Sequence, residues 1–274
     1  MHLEASAVES SVCQPRQPVA ILAYHQIADA PDDPPPYHLQ VRPPRRVAMQ
    51  LGTLHALGWR GLSLRDLAPY LRGEKTGKVF GITFDDGYCN NFENALPVLR
   101  ALGFSATCFM VSGMIGGTNA WDRGRGIAPV PLMDREQLRA WVGAGMEIGA
   151  HTRQHVNLRE CDEARAWDEI HGARQELEQA LGSEVRSFSY PHGLCTPRDT
   201  ELLQRAGYRL ATTVATARAA KGDDPLRLPR ISVARTDSLA YVVARVVTPM
   251  EEWRARLRAW RRGRGPRPAV PVGS

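Results

Sequence analysis

Short apolar, β-branched segments alternate with amphipathic helical ones along almost the whole of this chain, and that alternation restricts its fold more than any other feature. Strands separated by helices return to the same end of a sheet and pair in parallel, so the pattern predicts an α/β protein built on a parallel sheet or barrel. Seven candidate strands are in view, at 19–24, 79–84, 105–110, 147–150, 185–190, 210–214 and 228–233. Helix ends are marked between them. Asp134 with Gln137 three residues on resembles a capping box before Leu138 and Trp141, and Gly103, Gly145 and Gly207 stand where helices at 91–102, 134–144 and 197–206 should stop. Ala164, Trp167, Ile170, Ala173, Leu177 and Leu181 form one stripe of a core-facing helix over 162–181.

A chain of 274 residues can bury a sizeable core, and an apolar fraction of 43% argues against wholesale disorder. No apolar run is long enough to span a bilayer. Residues 1–18 lack the basic start and continuous apolar stretch of a secretory leader, and Cys13, Cys89, Cys108, Cys161 and Cys195 are odd in number and scattered. Both features predict a cytoplasmic protein with reduced thiols. Two loops, the Pro-rich 30–44 and the Gly-rich 112–131 that holds Trp121 and Asp122, either wall a groove or simply connect elements over the surface.

The net charge of +6 is concentrated at one end: seven arginines and no acid lie between Arg254 and Arg267. Trp253, Leu257 and Trp260 fall at i, i+4 and i+7, on one face of a short helix. The first reading docks this helix on the domain through its two Trp side chains. A second places it against an anionic membrane surface or lipid-linked phosphate, and nucleic acid is not expected.

Chemistry is concentrated at strand ends. Ile82-Thr-Phe-Asp-Asp-Gly87 ends an apolar strand in two adjacent carboxylates, which can face one site only if the chain leaves extended geometry there. Gly87 makes that departure cheap. Close carboxylates repel unless one is protonated or a cation lies between them. His151 and His155, four residues apart and therefore on one face of a helical turn, can close with Asp86 on a single ion. A two-His, one-carboxylate set suits one divalent metal, zinc first with cobalt, nickel or manganese as alternatives, and leaves positions open for catalysis. His25 and Pro191-His192-Gly193 also follow predicted strands, so in a barrel all of these residues meet at one mouth.

Thr83-Phe-Asp-Asp-Gly87, then His151-Thr-Arg-Gln-His155, then Phe188-Ser-Tyr-Pro-His-Gly193, resembles the NodB-homology polysaccharide deacetylases, over about 19–233. Tyr24-His25 is similar to the branch that contains poly-N-acetylglucosamine deacetylases. The resemblance implies a deformed (β/α)7-type barrel over 19–248, between a flexible segment at 1–18 and a basic C-terminal helix with a disordered tail at 249–274. It also implies metal-dependent removal of an N-acetyl group from an amino sugar. Asp85 then matches the general base, Asp86, His151 and His155 match the metal ligands, and the backbone N–H at His192 matches the oxyanion donor. Tyr190 and Pro191 line the substrate groove beside it, with Trp121 as a platform for a sugar ring.

Two departures matter. Typical members carry an Arg where this chain has Ser189, and a late histidine acid is absent because no histidine follows His192. We infer that His25 serves as the general acid and that Arg230 replaces the missing Arg beside Asp85. The expected substrate is an N-acetylhexosamine unit of a glycan or glycolipid precursor, with peripheral membrane contact through the basic helix. The alternatives are a C–N hydrolase of a small cyclic amide or imide, and an inactive glycan-binding protein.

Overall fold

The computed structural model describes residues 12–29, 40–125 and 127–263. Its strands are β1 (Ile21–Tyr24), β2 (Gln26–Ile27), β3 (Val41–Arg42), β4 (Arg60–Leu62), β5 (Val79–Phe84), β6 (Thr107–Met110), β7 (Glu147–Ala150), β8 (Ser187–Ser189), β9 (Leu210–Thr212) and β10 (Ile231–Ser232). The helices are α1 (Pro44–Ala56), α2 (Leu64–Leu71), α3 (Leu96–Ala101), α4 (Arg135–Gly143), α5 (Glu163–Trp167), α6 (Ala173–Leu181), α7 (Pro197–Arg205), α8 (Leu239–Val247) and α9 (Met250–Gly263).

The main sheet runs β10-β1-β5-β6-β7-β8-β9 with every pairing parallel. One edge of β5 serves two strands in succession: β4 pairs along Val79 to Gly81, and β6 takes over at Thr83 and Phe84. The sheet curls until its ends meet. Leu228, just before β10, bridges Thr212 of β9, donating to the Ala211 carbonyl at 2.8 Å and accepting from the Thr213 N–H at 2.9 Å. Seven strands therefore form a ring closed at one seam by a single bridge, a deformed (β/α) barrel. Strands β1, β5, β6 and β7 are buried along their whole length, as expected of parallel strands covered on both faces. Ile21, Leu22, Phe80, Phe84, Phe109 and Phe188 have essentially no exposure, and each contributes roughly 1.5–3 kcal/mol by leaving water.

The seven expected strands are the seven of this ring, trimmed by up to four residues. The short strands β2, β3 and β4 are too brief to show a period of two, and α1, α2 and α8 likewise go unannounced by the sequence patterns above. The capping box at Asp134 forms: its carboxylate accepts from the Gln137 N–H at 2.8 Å and the Gln137 amide oxygen accepts from the Asp134 N–H at 3.0 Å. The stripe over 162–181 is interrupted, since a π-helical turn at Asp168–Gly172 separates α5 from α6. Among the described residues no helix is long and apolar enough to cross a membrane. Of the flexible start expected at 1–18, the Pro-rich loop and the disordered tail, residues 1–11, 30–39 and 264–274 lie outside the described residues; within 12–18, Cys13 is buried and the N–H groups of Cys13 and Gln14 donate to the carbonyls of Asp223 at 3.0 Å and Leu71 at 2.8 Å.

The first reading of the C-terminal helix needs correction. The first turn of α9 is held by ion pairs: Arg245 Nε meets buried Glu251 Oε1 at 2.5 Å, and Arg218 Nε meets Glu252 Oε1 at 2.8 Å. The apolar stripe is not buried against the domain as that reading expects, since Trp253 and Trp260 are 58% and 52% exposed.

Candidate functional site

Four strand ends deliver the site. His25 follows β1, Asp85 and Asp86 follow β5, His151 follows β7, and Tyr190 to Gly193 follow β8. With His155 and Trp121 these residues, Pro191 apart, line one cleft of about 440 Å³. A larger cavity of about 580 Å³ opens at the other end of the strands, around Met146, Glu147 and Leu210. None of its lining residues is a histidine, and among the described residues the one group of side chains placed to share an ion, Asp86, His151 and His155, stands at the carboxyl ends.

Asp86 has a φ of 73° and Gly87 one of 79°. Two successive left-handed residues turn the chain out of β5, which lets both carboxylates reach the cleft although neighbours on a strand point apart. Glycine suits position 87, where the backbone is left-handed and a Cβ would meet the side chain of Met110. Asp86 bears the strain itself, as non-glycine residues at functional sites often do.

Asp86, His151 and His155 place one ligand atom each within 4.8 Å of one another. His151 Nδ1 lies 2.6 Å from the Ser189 carbonyl oxygen. A carbonyl only accepts, so Nδ1 carries the proton and Nε2 presents a lone pair. Burial pushes the ring's pKa down to about 4 against the pull of Asp85, leaving it neutral near pH 7. That bare Nε2 stands 3.5 Å from Asp86 Oδ1, and His155 Nε2 stands 3.3 Å from the same oxygen. Among the described residues this buried oxygen accepts no hydrogen bond. Burial opposes ionisation of Asp86, but His155 and the other nearby imidazoles outweigh it and keep the carboxyl below the usual range. An ionised, orphaned carboxylate oxygen facing an imidazole lone pair is unfavourable unless a cation completes it. The three residues therefore fit a divalent metal.

The spacing of His151 and His155 does not reflect a helix. Residues 152–154 form a turn and 155–157 are irregular, with Thr152 at φ 62° and His155 at φ 58°. β7 ends at Ala150, and two left-handed residues fold the chain back so that the imidazole centroids lie 5.0 Å apart. Glu169, 3% exposed and on the π-helical turn, holds this loop. Its Oε2 accepts from the backbone N–H of Arg153 at 2.9 Å and of Gln154 at 3.0 Å.

Asp85 has a separate counter-ion. Arg230 grips it in two places, with NH1 to Oδ1 and NH2 to Oδ2 both at 2.7 Å. The same guanidinium donates to Thr83 Oγ1, Ser189 Oγ and the Thr213 carbonyl, so all three of its nitrogens are used. Both partners are buried. Burial opposes ionisation of Asp85, but the Arg230 charge and its hydrogen bonds hold the carboxyl below its ordinary range. The repulsion between neighbouring carboxylates is thus relieved at Asp85 by an arginine, and only Asp86 is left to a metal.

Of the other expected residues all but Pro191 line the cleft. His25 is half-buried on its wall, and its carbonyl accepts from Asn91 Nδ2 at 2.7 Å. Tyr190 is buried with its hydroxyl donating to the Leu226 carbonyl at 2.9 Å, and Pro191 is buried beside it. His192 has a φ of 57°, and burial together with His155 lowers the pKa of its imidazole. The indole of Trp121 stacks on His155 with centroids 4.6 Å apart, so it braces that ring as well as walling the groove. Asp122 lines the cleft from the Gly-rich loop singled out above as a possible groove wall, whereas sequence reasoning missed Tyr88, Arg125 and Val214 as cleft residues. Position after Asp85-Asp86-Gly87 could have flagged Tyr88, whereas the others stand on loops that carry no periodic signal.

Comparison with known proteins agrees with this geometry. A family model described as polysaccharide deacetylase matches residues 72–211. The chain is 25% identical over 216 residues to YxkH of Bacillus subtilis, covering 78% of this chain and 71% of the relative. It is 24% identical over 195 residues to the poly-beta-1,6-N-acetyl-D-glucosamine N-deacetylase of Staphylococcus epidermidis, covering 68% of this chain and 65% of that one. The solved structure of the Streptococcus pyogenes deacetylase PplD in complex with acetate superposes with a TM-score of 0.74. That match covers 84% of this chain and 98% of the other at 21% identity, which shows a shared fold. With the family model spanning half of its length, the chain belongs to the polysaccharide deacetylase family.

Proposed function

We propose that the protein is a metal-dependent N-deacetylase that hydrolyses the acetamido group of an N-acetylhexosamine unit in a glycan or glycolipid precursor. One observation carries the reading: a buried carboxylate oxygen without a hydrogen bond faces two imidazoles, next to a second carboxylate that an arginine neutralises. Asp86, His151 and His155 would hold the ion, and their mixed nitrogen and oxygen donors favour zinc, with cobalt, nickel or manganese also suited. A divalent ion bound there supplies Lewis acidity, which lowers the pKa of water and polarises an amide carbonyl.

The chain's own groups do the rest. Asp85, ionised and fixed in orientation by Arg230, takes the proton of the attacking water. The backbone N–H of His192 donates to the carbonyl oxygen as negative charge develops on it. His25 gives its proton to the departing nitrogen, the C–N bond breaks, and acetate and a free amine result. Tyr190, Pro191 and Trp121 shape the groove around the sugar. The name of the Staphylococcus epidermidis relative supports an amino-sugar substrate. The five cysteines are all free thiols, which supports a reducing, cytoplasmic location.

The test is acetate release from N-acetylglucosamine oligomers, which a chelator should abolish and zinc restore. In the restored enzyme, His25→Ala should lose the basic limb of the kcat profile. Turnover of cyclic ureides without release from sugars, or oligomer binding by zinc-loaded protein without turnover, rejects the reading.

A further inference from the structure

Helix α9 leaves the domain in an unusual way. Its first turn is fixed to the body through Glu251, which is 1% exposed and paired with Arg245, and through the Arg218–Glu252 pair. From Trp253 to Leu257 every side chain is exposed, on all sides of the helix. Trp253, Leu257 and Trp260 are 58%, 47% and 52% exposed. At 3.6 residues per turn these three fall within an arc of about 60°. No acid follows Glu252 in the helix, while Arg254 and Arg256 begin the basic run that extends to Arg267.

The base of this helix adjoins the mouth of the cleft. Arg245 donates to the carbonyl of Ser232, a cleft-lining residue, at 2.9 Å. Arg218 stands four residues after Val214, which lines the cleft and is 45% exposed. Leu194, next to Gly193 on the rim, is 37% exposed. A projecting helix with an aromatic and leucine stripe among arginines therefore joins a mouth with apolar side chains on its rim.

The geometry points to an anionic lipid surface as the partner of this face. Tryptophan and leucine on one stripe with arginine around it is the composition of a helix that lies in the plane of a bilayer, with indoles at headgroup depth and cations on acidic lipid. Each arginine near such a surface contributes attraction that salt screens. A second copy is a poor occupant, since it would bring the same run of seven arginines, which holds no acid of its own, to the contact. Nucleic acid would use the arginines but leave the apolar stripe in water. Resting on the deacetylase reading, docking here brings the mouth to the membrane and selects an amino sugar carried on lipid.

Vesicle flotation of the full-length protein tests the docking without any turnover. The protein should float with phosphatidylcholine vesicles containing about 30 mol% phosphatidylglycerol, with a blue shift in tryptophan emission, and should stay behind with pure phosphatidylcholine. Raising salt from about 0.1 M to about 0.5 M should release it. Replacing Trp253, Leu257 and Trp260 together by alanine should lower partition roughly tenfold. That variant should release acetate from soluble oligomers at the parent rate, which shows that it is folded, and should be slow only on an N-acetylglucosamine lipid in vesicles. A charge variant, Arg254→Glu with Arg256→Glu, should also weaken flotation. Partition that neither variant changes overturns the inference. So does equal binding to neutral vesicles, capture by an RNA oligonucleotide with no flotation, or a concentration-dependent dimer that the alanine variant dissolves with no flotation. Flotation without deacetylation would instead sink the activity and leave the docking standing.

Discussion

At the scale of single residues, the pairing of Arg230 with Asp85 makes the firmest demand. Both side chains are buried and joined by two hydrogen bonds of 2.7 Å, so removing the guanidinium leaves an uncompensated charge. Arg230→Met should cost about 3–5 kcal/mol in urea melts, because breaking a buried pair exposes the full desolvation penalty of the partner left behind. Deacetylation should fall with it. Arg230→Lys should lie between the two, since a lysine keeps the charge but cannot make the two-pronged contact. An equal loss in both variants would show that only the fork matters, and no loss in either would remove Arg230 from the site. The pairing also explains why the sequence around Asp85 is hard to read. Its partner lies 145 residues away, and Ser189 stands where an arginine is usual and leaves its hydroxyl to accept from Arg230 at 3.0 Å. Only the resemblance raises the question of a substitute; nothing in local spacing answers it.

At the scale of elements, the loop that carries His151 and His155 depends on a helix irregularity. The π-helical turn at Asp168–Gly172 carries Glu169, whose single oxygen serves two backbone N–H groups of the loop. Glu169→Ala should weaken zinc binding by roughly 10–100-fold in competition with a chromogenic chelator, as loss of an outer-shell partner typically does. Glu169→Gln keeps an acceptor oxygen and should recover most of that affinity, whereas a role limited to packing would not distinguish the amide from alanine by metal affinity. Elements of this kind mark where sequence reading fails. The seven ring strands are legible because buried β-branched runs and helix stops repeat regularly. The metal loop looks helical because a four-residue spacing is the same whether a helix or two left-handed turns produce it. Glu169 leaves no trace, since its contact crosses from a helix to a loop. In α9 the apolar period is legible, but the period alone does not say whether the stripe meets protein or solvent.

For the whole molecule, the barrel separates chemistry from stability along the strand direction. The carboxyl ends hold the cleft, while the amino ends hold Glu147, which is buried and accepts hydrogen bonds from Thr107 Oγ1 at 2.6 Å, Ser187 Oγ at 2.6 Å and the Arg65 N–H at 2.8 Å. Burial dominates those contacts, so the carboxyl titrates above its ordinary value. The native state therefore holds this proton more tightly than the unfolded chain. The contribution of Glu147 to stability is greatest below the unfolded pKa of about 4.3 and declines as pH rises through the higher folded value. Urea melts of the parent and of Glu147→Gln across that window should show the parent losing stability, relative to the variant, as pH rises. A difference that stays flat with pH would mean the carboxyl is not perturbed. Because the residue lies away from the cleft, kcat in folded protein should not change.

The seam between β9 and β10 has a consequence for how such an enzyme fails. One bridge at Thr212 and Leu228 completes the ring, and two residues further along the same segment supplies Arg230. Clasp and counter-ion thus travel on one ribbon. A fluctuation, a nick or a nearby substitution that unfastens the ring also pulls the guanidinium from Asp85. Loss of closure and loss of a fixed carboxylate at Asp85 would then arrive together, with Asp86, His151 and His155, which follow β5 and β7, still in place.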